Sequence, residues 1–361
     1  MVKEKAGYSH WLPPTHWLPR TLILVALLGG PPLLGAWLTG RPLERYLRFP
    51  PELPATPVPG FDWMYFALLC ALLLAVVGPV IARLFEAGRG AAVTRRPARA
   101  FPAWGWLGVA MVAAGWVLAW NRFAWFAPMQ QHTFAPLWVG YIVVVNALAA
   151  QRTGRCMLAD HTRDYLLLFP LSALFWWFFE YLNRFVGNWY YVGIDGFGPW
   201  EYALFATISF STVLPAVVAT RDWLASFPRL YAGLERFRPV PPAASHAVAT
   251  AALVLGVAGL AGLAVWPTQL FPLVWMGPLL VVVALQTLAG EDNVLSSLSR
   301  GDWRPLWLPA LAALLCGFFW EMWNIRSLAH WEYAIPYTHR FQIFEMPLLG
   351  YAGYLPFGIT C

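Results

Sequence analysis

The chain has 361 residues, of which 59% are hydrophobic, 17% aromatic and only 12% charged, with a formal net charge of +6. A soluble domain carries about 25% charged residues, so this composition excludes an ordinary globular domain and predicts an all-α polytopic membrane protein. The four cysteines lack the spacing of a disulfide framework or a zinc site. We expect no metal, no cofactor and no nucleic-acid partner; the expected partners are membrane lipids, a lipid-soluble substrate or other membrane proteins.

Apolar runs long enough to cross a bilayer recur along the whole chain. About 20 residues at 1.5 Å per residue cover the ~30 Å hydrocarbon core, and ten runs approach that length. The first run is predicted to be a retained helix, not a cleaved signal, and to be broken at Pro31 and Pro32. The predicted spans lie at 21–38, 61–82, 102–120, 134–151, 165–183, 200–219, 246–266, 270–289, 306–325 and 341–360.

The distribution of basic residues predicts how these spans are oriented. With a cytoplasmic N-terminus, 17 of the 24 Lys and Arg residues fall in segments on the inner side and 7 on the outer side. This bias follows the positive-inside rule. Ten spans in the cell (inner) membrane would place both termini in the cytoplasm.

One motif occurs twice: two aromatic residues, a glutamate, an asparagine three residues later, a Trp/Tyr-containing loop and a second glutamate. The first copy has Glu180, Asn183 and Glu201, and the second has Glu321, Asn324 and Glu345. Trp138 and Trp275 also lie in similar sequence contexts. We therefore predict two parallel four-helix repeats, 101–240 and 241–361, preceded by an N-terminal segment with two helices, 1–100.

The repeated motif is the predicted active site. A carboxylate in apolar surroundings is costly, and a poorly hydrated cluster of carboxyl groups favours a protonated acid beside an ionised base. We expect one outer-leaflet cavity with at least one glutamate protonated at neutral pH. The predicted catalytic residues are Glu180, Asn183, Glu201, Glu321, Asn324 and Glu345. The predicted substrate-binding residues are Trp176, Trp177, Phe179, Trp189, Tyr190, Trp320 and Trp323, whose π faces can stabilise a cation.

The run Trp177-Phe-Phe-Glu180-Tyr-Leu-Asn183, followed by Trp189-Tyr-Tyr and Pro199-Trp-Glu201, resembles a known family. It is similar to the membrane-integral lycopene cyclases of the heterodimeric type, over about 165–210 and again over 310–350. In that family an acidic residue ends one helix and a Pro-x-Glu motif opens the next. The resemblance implies acid–base chemistry on an isoprenoid or carotenoid without redox change.

Other interpretations of the same residues stay open. The glutamates can be interfacial residues that face water or pair with arginines in the outer loops. As a transporter, the chain would use the paired glutamates as a proton site between two repeats. As a structural or assembly subunit, it would use its aromatic surface to hold pigments or other membrane proteins.

Overall fold

The computed structural model describes residues 17–51, 59–89 and 99–361. Within these residues, eight helical segments are long and apolar enough to cross a membrane, and a ninth apolar helix has 16 residues. The prediction of a mostly helical, multi-pass membrane protein is confirmed. The main helices are α1 (Trp17–Leu38), α2 (Trp63–Gly88), α3 (Ala103–Trp120), α4 (Phe134–Thr153), α5 (Thr162–Val186), α6 (Pro199–Phe210), α7 (Val213–Ala225), α8 (His246–Val265), α9 (Leu273–Leu288), α10 (Arg304–Asn324) and α11 (Tyr354–Thr360).

Short elements connect these helices. One-turn or two-turn α-helices cover Leu43–Leu47, Met157–Asp160, Pro267–Leu270 and Val294–Ser299. Segments of 3-10 helix cover Ala124–His132, Pro228–Tyr231, Pro241–Ala244 and Leu348–Gly353. Four short strands complete the described elements: β1 (Trp189–Val192), β2 (His330–Tyr333), β3 (Gln342–Ile343) and β4 (Met346–Pro347).

Helix α1 runs unbroken through Pro31 and Pro32, so the predicted break at these prolines is wrong. Proline removes a backbone hydrogen bond and weakens a helix, but neighbouring helices can hold the weakened turn in place. Here α1 packs so closely on α8 that a Cβ atom on Gly35 would collide with the backbone carbonyl of Ala261. The hydroxyl of Tyr181 also donates to the backbone carbonyl of the turn before the prolines. These contacts support the helix across both prolines.

The sixth predicted span is one crossing segment made of two helices, α6 and α7. The interruption lies at Ser211 and Thr212, whose hydroxyl groups donate to carbonyls of the preceding turn at 2.6 and 2.7 Å. Pro215 lacks the N–H that would continue the helical ladder across this point. Side-chain hydrogen bonds therefore replace backbone ones locally, and the helix restarts at α7.

The last predicted span, 341–360, is not a single helix. Strands β3 and β4 form an antiparallel hairpin, which a 3-10 segment connects to the seven-residue helix α11. Phe341 and Phe344 have positive φ angles of 55° and 57°, and this left-handed backbone is incompatible with a continuous helix. Helix α11 still packs along α10, because Gly358 allows close approach to the backbone of Pro309. Only the second half of the predicted span is therefore helical.

Close glycine contacts join two pairs of helices in the same way. A Cβ atom on Gly108 of α3 would lie 2.9 Å from the carbonyl oxygen of Gly140 in α4. A Cβ atom on Gly256 of α8 would lie 3.1 Å from the carbonyl oxygen of Gly277 in α9. Membrane helices associate through such small residues because close packing replaces the hydrophobic driving force that water provides elsewhere.

Contacts between helix ends and distant loops group these segments into two ends of the helix bundle. At one end, which we call the basic end, the contacts are Arg20 to Glu291 at 2.8 Å, Arg83 to Gly233 at 3.2 Å and Arg152 to Ser226 at 2.7 Å. At the other, which we call the aromatic end, they are Asp62 to Tyr337 at 3.0 Å, Arg122 to Arg326 at 2.8 Å and Gln131 to Gly193 at 2.8 Å. This grouping agrees with the predicted alternation for the segments that these contacts join.

Candidate functional site

Glu180 lies near the aromatic end of α5, where its side chain is only 4% exposed. Its Oε1 accepts three hydrogen bonds: from Trp176 Nε1 at 3.0 Å, Trp189 Nε1 at 2.9 Å and the Tyr191 hydroxyl at 2.6 Å. Trp176 lies one helical turn earlier, and Trp189 and Tyr191 alternate along β1, so all three reach the same side. Three donors on one oxygen offset the cost of burying a carboxyl group.

Asn183 stabilises the turn between α5 and β1, which places β1 beside Glu180. Helix α5 ends at Gly187, whose φ of 64° requires the left-handed region that glycine adopts easily. The Nδ2 of Asn183 donates to the carbonyl of Trp189 at 2.7 Å, and its Oδ1 accepts the backbone N–H of Asn188 at 2.8 Å. Asn183 therefore positions the strand that carries two of the three donors.

Glu321 occupies the corresponding place in α10 and is fully buried. Its Oε1 accepts the hydroxyl of Tyr333 at 2.6 Å and that of Tyr354 at 2.8 Å, while Trp331 Nε1 donates to Tyr333 at 2.8 Å. Asn324 holds the turn, donating to the carbonyl of Trp331 at 2.7 Å and accepting its N–H at 2.8 Å. The Oε2 of Glu321 is buried and has no hydrogen-bond partner among the described residues.

A two-stranded antiparallel sheet joins the two clusters. Strand β1 pairs with β2, so Trp189 lies opposite Tyr333 and Tyr191 lies opposite Trp331. A donor to Glu180 therefore stands beside a donor to Glu321. The two buried carboxyl groups belong to one continuous layer of aromatic side chains.

This aromatic layer lines a cavity of about 700 Å³, which we call the aromatic cavity. Its lining includes donors to both glutamates, but neither glutamate is among the lining residues that the structure describes. Helix α2 completes the wall with aliphatic side chains, and α6 and α9 add both aromatic and aliphatic ones. The lining residues include Leu69, Leu72, Leu73, Val76, Trp176, Trp189, Tyr191, Tyr202, Ala206, Trp275, Trp320, Trp331, Tyr333 and Tyr354.

The strand tyrosines remain hydrogen-bond donors at any physiological pH. Burial raises the pKa of Tyr191 well above its ordinary value, and the neighbouring Glu180 carboxyl group raises it further. Burial, followed by the Glu321 carboxyl group, does the same to the pKa of Tyr333. A hydroxyl group beside a buried carboxyl group keeps its proton because a second negative charge there is unfavourable.

The structure does not bring Glu201 and Glu345 to these clusters. Glu201 is exposed near the start of α6, where its Oε2 accepts the backbone N–H of Gly198 at 2.9 Å and caps the helix. Glu345 lies in the turn between β3 and β4 and is partly exposed.

The predicted substrate-binding aromatics divide into two groups. Trp176, Trp189 and Trp320 line the aromatic cavity, whereas Tyr190 points away and donates to Glu332 at 2.6 Å. The others pack behind the wall: Trp177 donates to Thr207 and meets Phe210 edge to face, Phe179 stacks on Trp275, and Trp323 packs edge to face on Trp138.

Sequence reasoning missed four residues of the two clusters: Tyr191, Trp331, Tyr333 and Tyr354. A signal for three of them is present, because a Trp-x-Tyr pattern follows each Glu-x-x-Asn: Trp189 with Tyr191, and Trp331 with Tyr333. Alternation along a strand puts both residues of such a pair on one face. Tyr354 has no such signal, because it comes from the segment after the β3–β4 hairpin.

Among the residues that the structure describes, no group of three His, Cys, Asp or Glu side chains is arranged to hold a metal ion. The four cysteines are all free thiols. No protein-family model, curated protein or solved structure matches the chain.

Proposed function

We propose that this membrane protein binds a bulky, largely apolar molecule of the isoprenoid class in the aromatic cavity. The observation that carries the proposal is the cavity itself: about 700 Å³ bounded by aromatic rings and aliphatic side chains. Pockets for small molecules commonly have 300–1,000 Å³ and a mostly apolar lining with a few polar groups.

The hydrogen bonds of the two clusters favour an apolar occupant. The indole N–H of Trp189 and the hydroxyl of Tyr191 already donate to Glu180, and the hydroxyl of Tyr333 donates to Glu321. Their ring faces are what remains for a ligand to contact. Such faces suit conjugated or branched hydrocarbon chains, as the resemblance to lycopene cyclases also implies.

Helix α2 suggests the route by which a ligand arrives from the bilayer. Only 6% of the most apolar 18-residue stretch of α2 is buried, yet Leu69, Leu72 and Val76 line the cavity. It is held near its two ends, where Tyr65 donates to Gln269 and Arg83 donates to Gly233, both at 3.2 Å. A helix fixed at its ends and loosely packed in its middle is a suitable side wall for exchange with lipid.

The test is mass spectrometry of the lipids that co-purify with the protein and with a variant whose cavity is filled. Ala206→Trp places a large ring in the cavity, whereas Leu204→Trp, on the same helix, places it on a side chain that is 56% exposed. We expect an enriched isoprenoid in the wild type and in Leu204→Trp, and at least a tenfold loss in Ala206→Trp. Equal recovery from all three proteins, or a lipid profile identical to that of the bulk membrane, would refute the proposal.

A second function, acid–base catalysis on the bound isoprenoid, is supported by the unpartnered Oε2 of Glu321. A buried carboxyl group with a free oxygen can carry a proton at low cost. Tyr333 and Tyr354 join its other oxygen to the cavity wall. In this proposal a proton from Glu321 reaches a carbon–carbon double bond of the ligand through the hydroxyl of Tyr333 or Tyr354. A different proton of the resulting cation returns to Glu321 by the same route, so the product is an isomer.

Reciprocal packing supports the proposal of two parallel repeats. Trp138 of the first repeat packs on Trp320 of the second, with ring centres 4.8 Å apart. Trp275 of the second packs on Phe179 of the first, at 5.1 Å. The β1–β2 pairing is reciprocal too, because Trp189 lies opposite Tyr333 and Tyr191 lies opposite Trp331. This is the behaviour expected of a pseudo-twofold axis along the membrane normal, with repeats 101–240 and 241–361.

The positive-inside bias favours a cytoplasmic basic end. Both termini would then be cytoplasmic, and the glutamate clusters would lie toward the outer leaflet. The first 16 residues of the predicted N-terminal segment lie outside the described residues.

A further inference from the structure

A smaller cavity of about 170 Å³ adjoins the aromatic cavity at the first glutamate cluster, and we call it the annex. Trp189, Tyr191 and Tyr202 line both cavities. The annex differs in chemistry, because Glu180 and Arg184 also line it. A large apolar volume therefore lies next to a small one that is lined by a carboxyl and a guanidinium group.

We propose that the ligand of the aromatic cavity is a lipid alcohol whose hydroxyl group occupies the annex between Glu180 and Arg184. This inference rests on the proposed function, since the annex alone is too small for a lipid. It specifies the ligand class: an isoprenoid with one terminal hydroxyl, instead of a pure hydrocarbon or an anionic phosphate ester.

Arg184 supplies free donors. Its Nη1 is held by the backbone carbonyls of Tyr46 and Arg48 at 2.8 and 2.9 Å, which fixes the guanidinium plane. Its Nε is buried without a hydrogen-bond partner among the described residues, and its Nη2 also has no partner there. A guanidinium has five N–H donors, and the two on Nη2 are those that remain available for a ligand or water.

Glu180 supplies a free acceptor. All three of its hydrogen-bond donors, Trp176, Trp189 and Tyr191, converge on Oε1. Its Oε2 receives none from the residues that the structure describes. A hydroxyl group is both donor and acceptor, so it can donate to Glu180 and accept from Arg184 at once. A phosphate only accepts, and the nearby carboxyl group would repel it.

The second cluster has no equivalent of this charge pair. The offset of 141 that relates Glu180 to Glu321 places Ile325 at the position of Arg184. An otherwise matched pair of sites therefore carries the carboxyl–guanidinium pair at one end only. This asymmetry would fix the direction of an elongated ligand, with its hydroxyl at Glu180 and its hydrocarbon body toward Glu321.

The test compares phytanol with phytane, which share one saturated 20-carbon skeleton and differ only in the hydroxyl group. Binding is measured with tritiated probes and the full chain in lipid nanodiscs, as a function of the mole fraction of probe in the bilayer. We expect phytanol to bind at least tenfold more tightly, because a hydrogen bond to a charged group has about that effect. Arg184→Met should reduce this preference, because only the Glu180 acceptor then remains, and leave phytane binding within about threefold. Arg122→Met, at the same end but outside both cavities, should change neither.

Since Arg184 also holds two backbone carbonyls, a crosslinking measurement on the wild type guards against misfolding of the variant. Phytanol with a diazirine beside its hydroxyl group should label the peptide 180–202 and not 321–333. Equal affinity for phytanol and phytane, tighter binding of phytanyl phosphate, or labelling of 321–333 would overturn the head-group proposal while leaving apolar binding intact. Failure of both probes to bind would instead count against the proposed function.

Discussion

Removing the Tyr333 hydroxyl measures how much its hydrogen bond to the buried Glu321 carboxyl group contributes to the free energy of unfolding. The hydroxyl lies 2.6 Å from Glu321 Oε1 and also accepts the indole N–H of Trp331. Tyr333→Phe leaves Tyr354 as the remaining described donor to Glu321 and orphans the Trp331 N–H. A hydrogen bond to a charged group contributes about 1.5–3 kcal/mol, and one between neutral groups about 1 kcal/mol. We therefore expect a loss of about 2–4 kcal/mol in the free energy of unfolding.

The assay is equilibrium unfolding by SDS in mixed micelles, followed by circular dichroism. Tyr231→Phe is the matched control, since that hydroxyl donates to the backbone carbonyl of Ala225 at 3.3 Å and should matter by about 1 kcal/mol or less. Combining Tyr333→Phe with Glu321→Gln should recover part of the loss, because contacting residues are coupled by about 0.5–3 kcal/mol. A Tyr333→Phe effect no larger than that of Tyr231→Phe would refute the reasoning.

The variants Glu321→Gln and Tyr231→Phe also test whether Glu321 acts as an acid–base catalyst. In D₂O, repeated protonation and deprotonation would introduce deuterium into the bound isoprenoid, which mass spectrometry detects. General acid–base catalysis contributes about 10²–10⁴-fold, so Glu321→Gln should reduce the exchange rate at least about 100-fold. Tyr231→Phe should leave it unchanged. Exchange that persists in Glu321→Gln would eliminate the catalytic role while the binding role stands.

Two further predictions concern packing and ionisation. Gly35→Ala should destabilise the protein by about 1–3 kcal/mol, because its Cβ collides with the backbone of Ala261, whereas Gly29→Ala on the same helix meets nothing within 4 Å and should be neutral; equal effects would contradict the α1–α8 contact. The hydrogen bond that Tyr190 donates to Glu332 raises its pKa to about 12. Glu332→Gln should therefore lower the pH at which tyrosinate absorbance appears, and an unchanged difference titration would count against this contact.

The sequence predicts the helices well where apolar runs are long, and fails where backbone details decide. Mean composition cannot show that α8 supports Pro31 and Pro32 from outside, because that support comes from a distant residue. It also cannot show the left-handed backbone at Phe344, since the same aromatic and apolar residues fit a membrane helix equally well. Both errors come from tertiary context that overrides local preference.

The site shows the same division between local and distant information. The sequence predicts four of the site residues, because their spacing is local and occurs twice: Glu180, Asn183, Glu321 and Asn324. Three donors to the carboxyl groups, Trp189, Tyr191 and Tyr333, come from strands β1 and β2, which the composition does not predict. Tyr354 comes from α11, which is distant in sequence from the repeated motif. Glu201 has the right residue type next to a loop, but its carboxyl group is engaged by the start of its own helix.

The cavity wall is shared between the two halves, and this has a consequence for how a ligand acts on the protein. Trp320 is held by Trp138, and Trp275 by Phe179, so each half supplies the ring that supports the other half's wall. Aromatic pairs of this kind contribute about 0.5–1.5 kcal/mol each, in addition to the β1–β2 pairing and to the packing of α7 against α10. A ligand that touches both Trp275 and Trp320 adds its own binding energy to that joint, about 2.7 kcal/mol at a hundredfold excess over its dissociation constant. Occupancy of the aromatic cavity should therefore strengthen the coupling between the two halves by about as much as their direct ring contacts do.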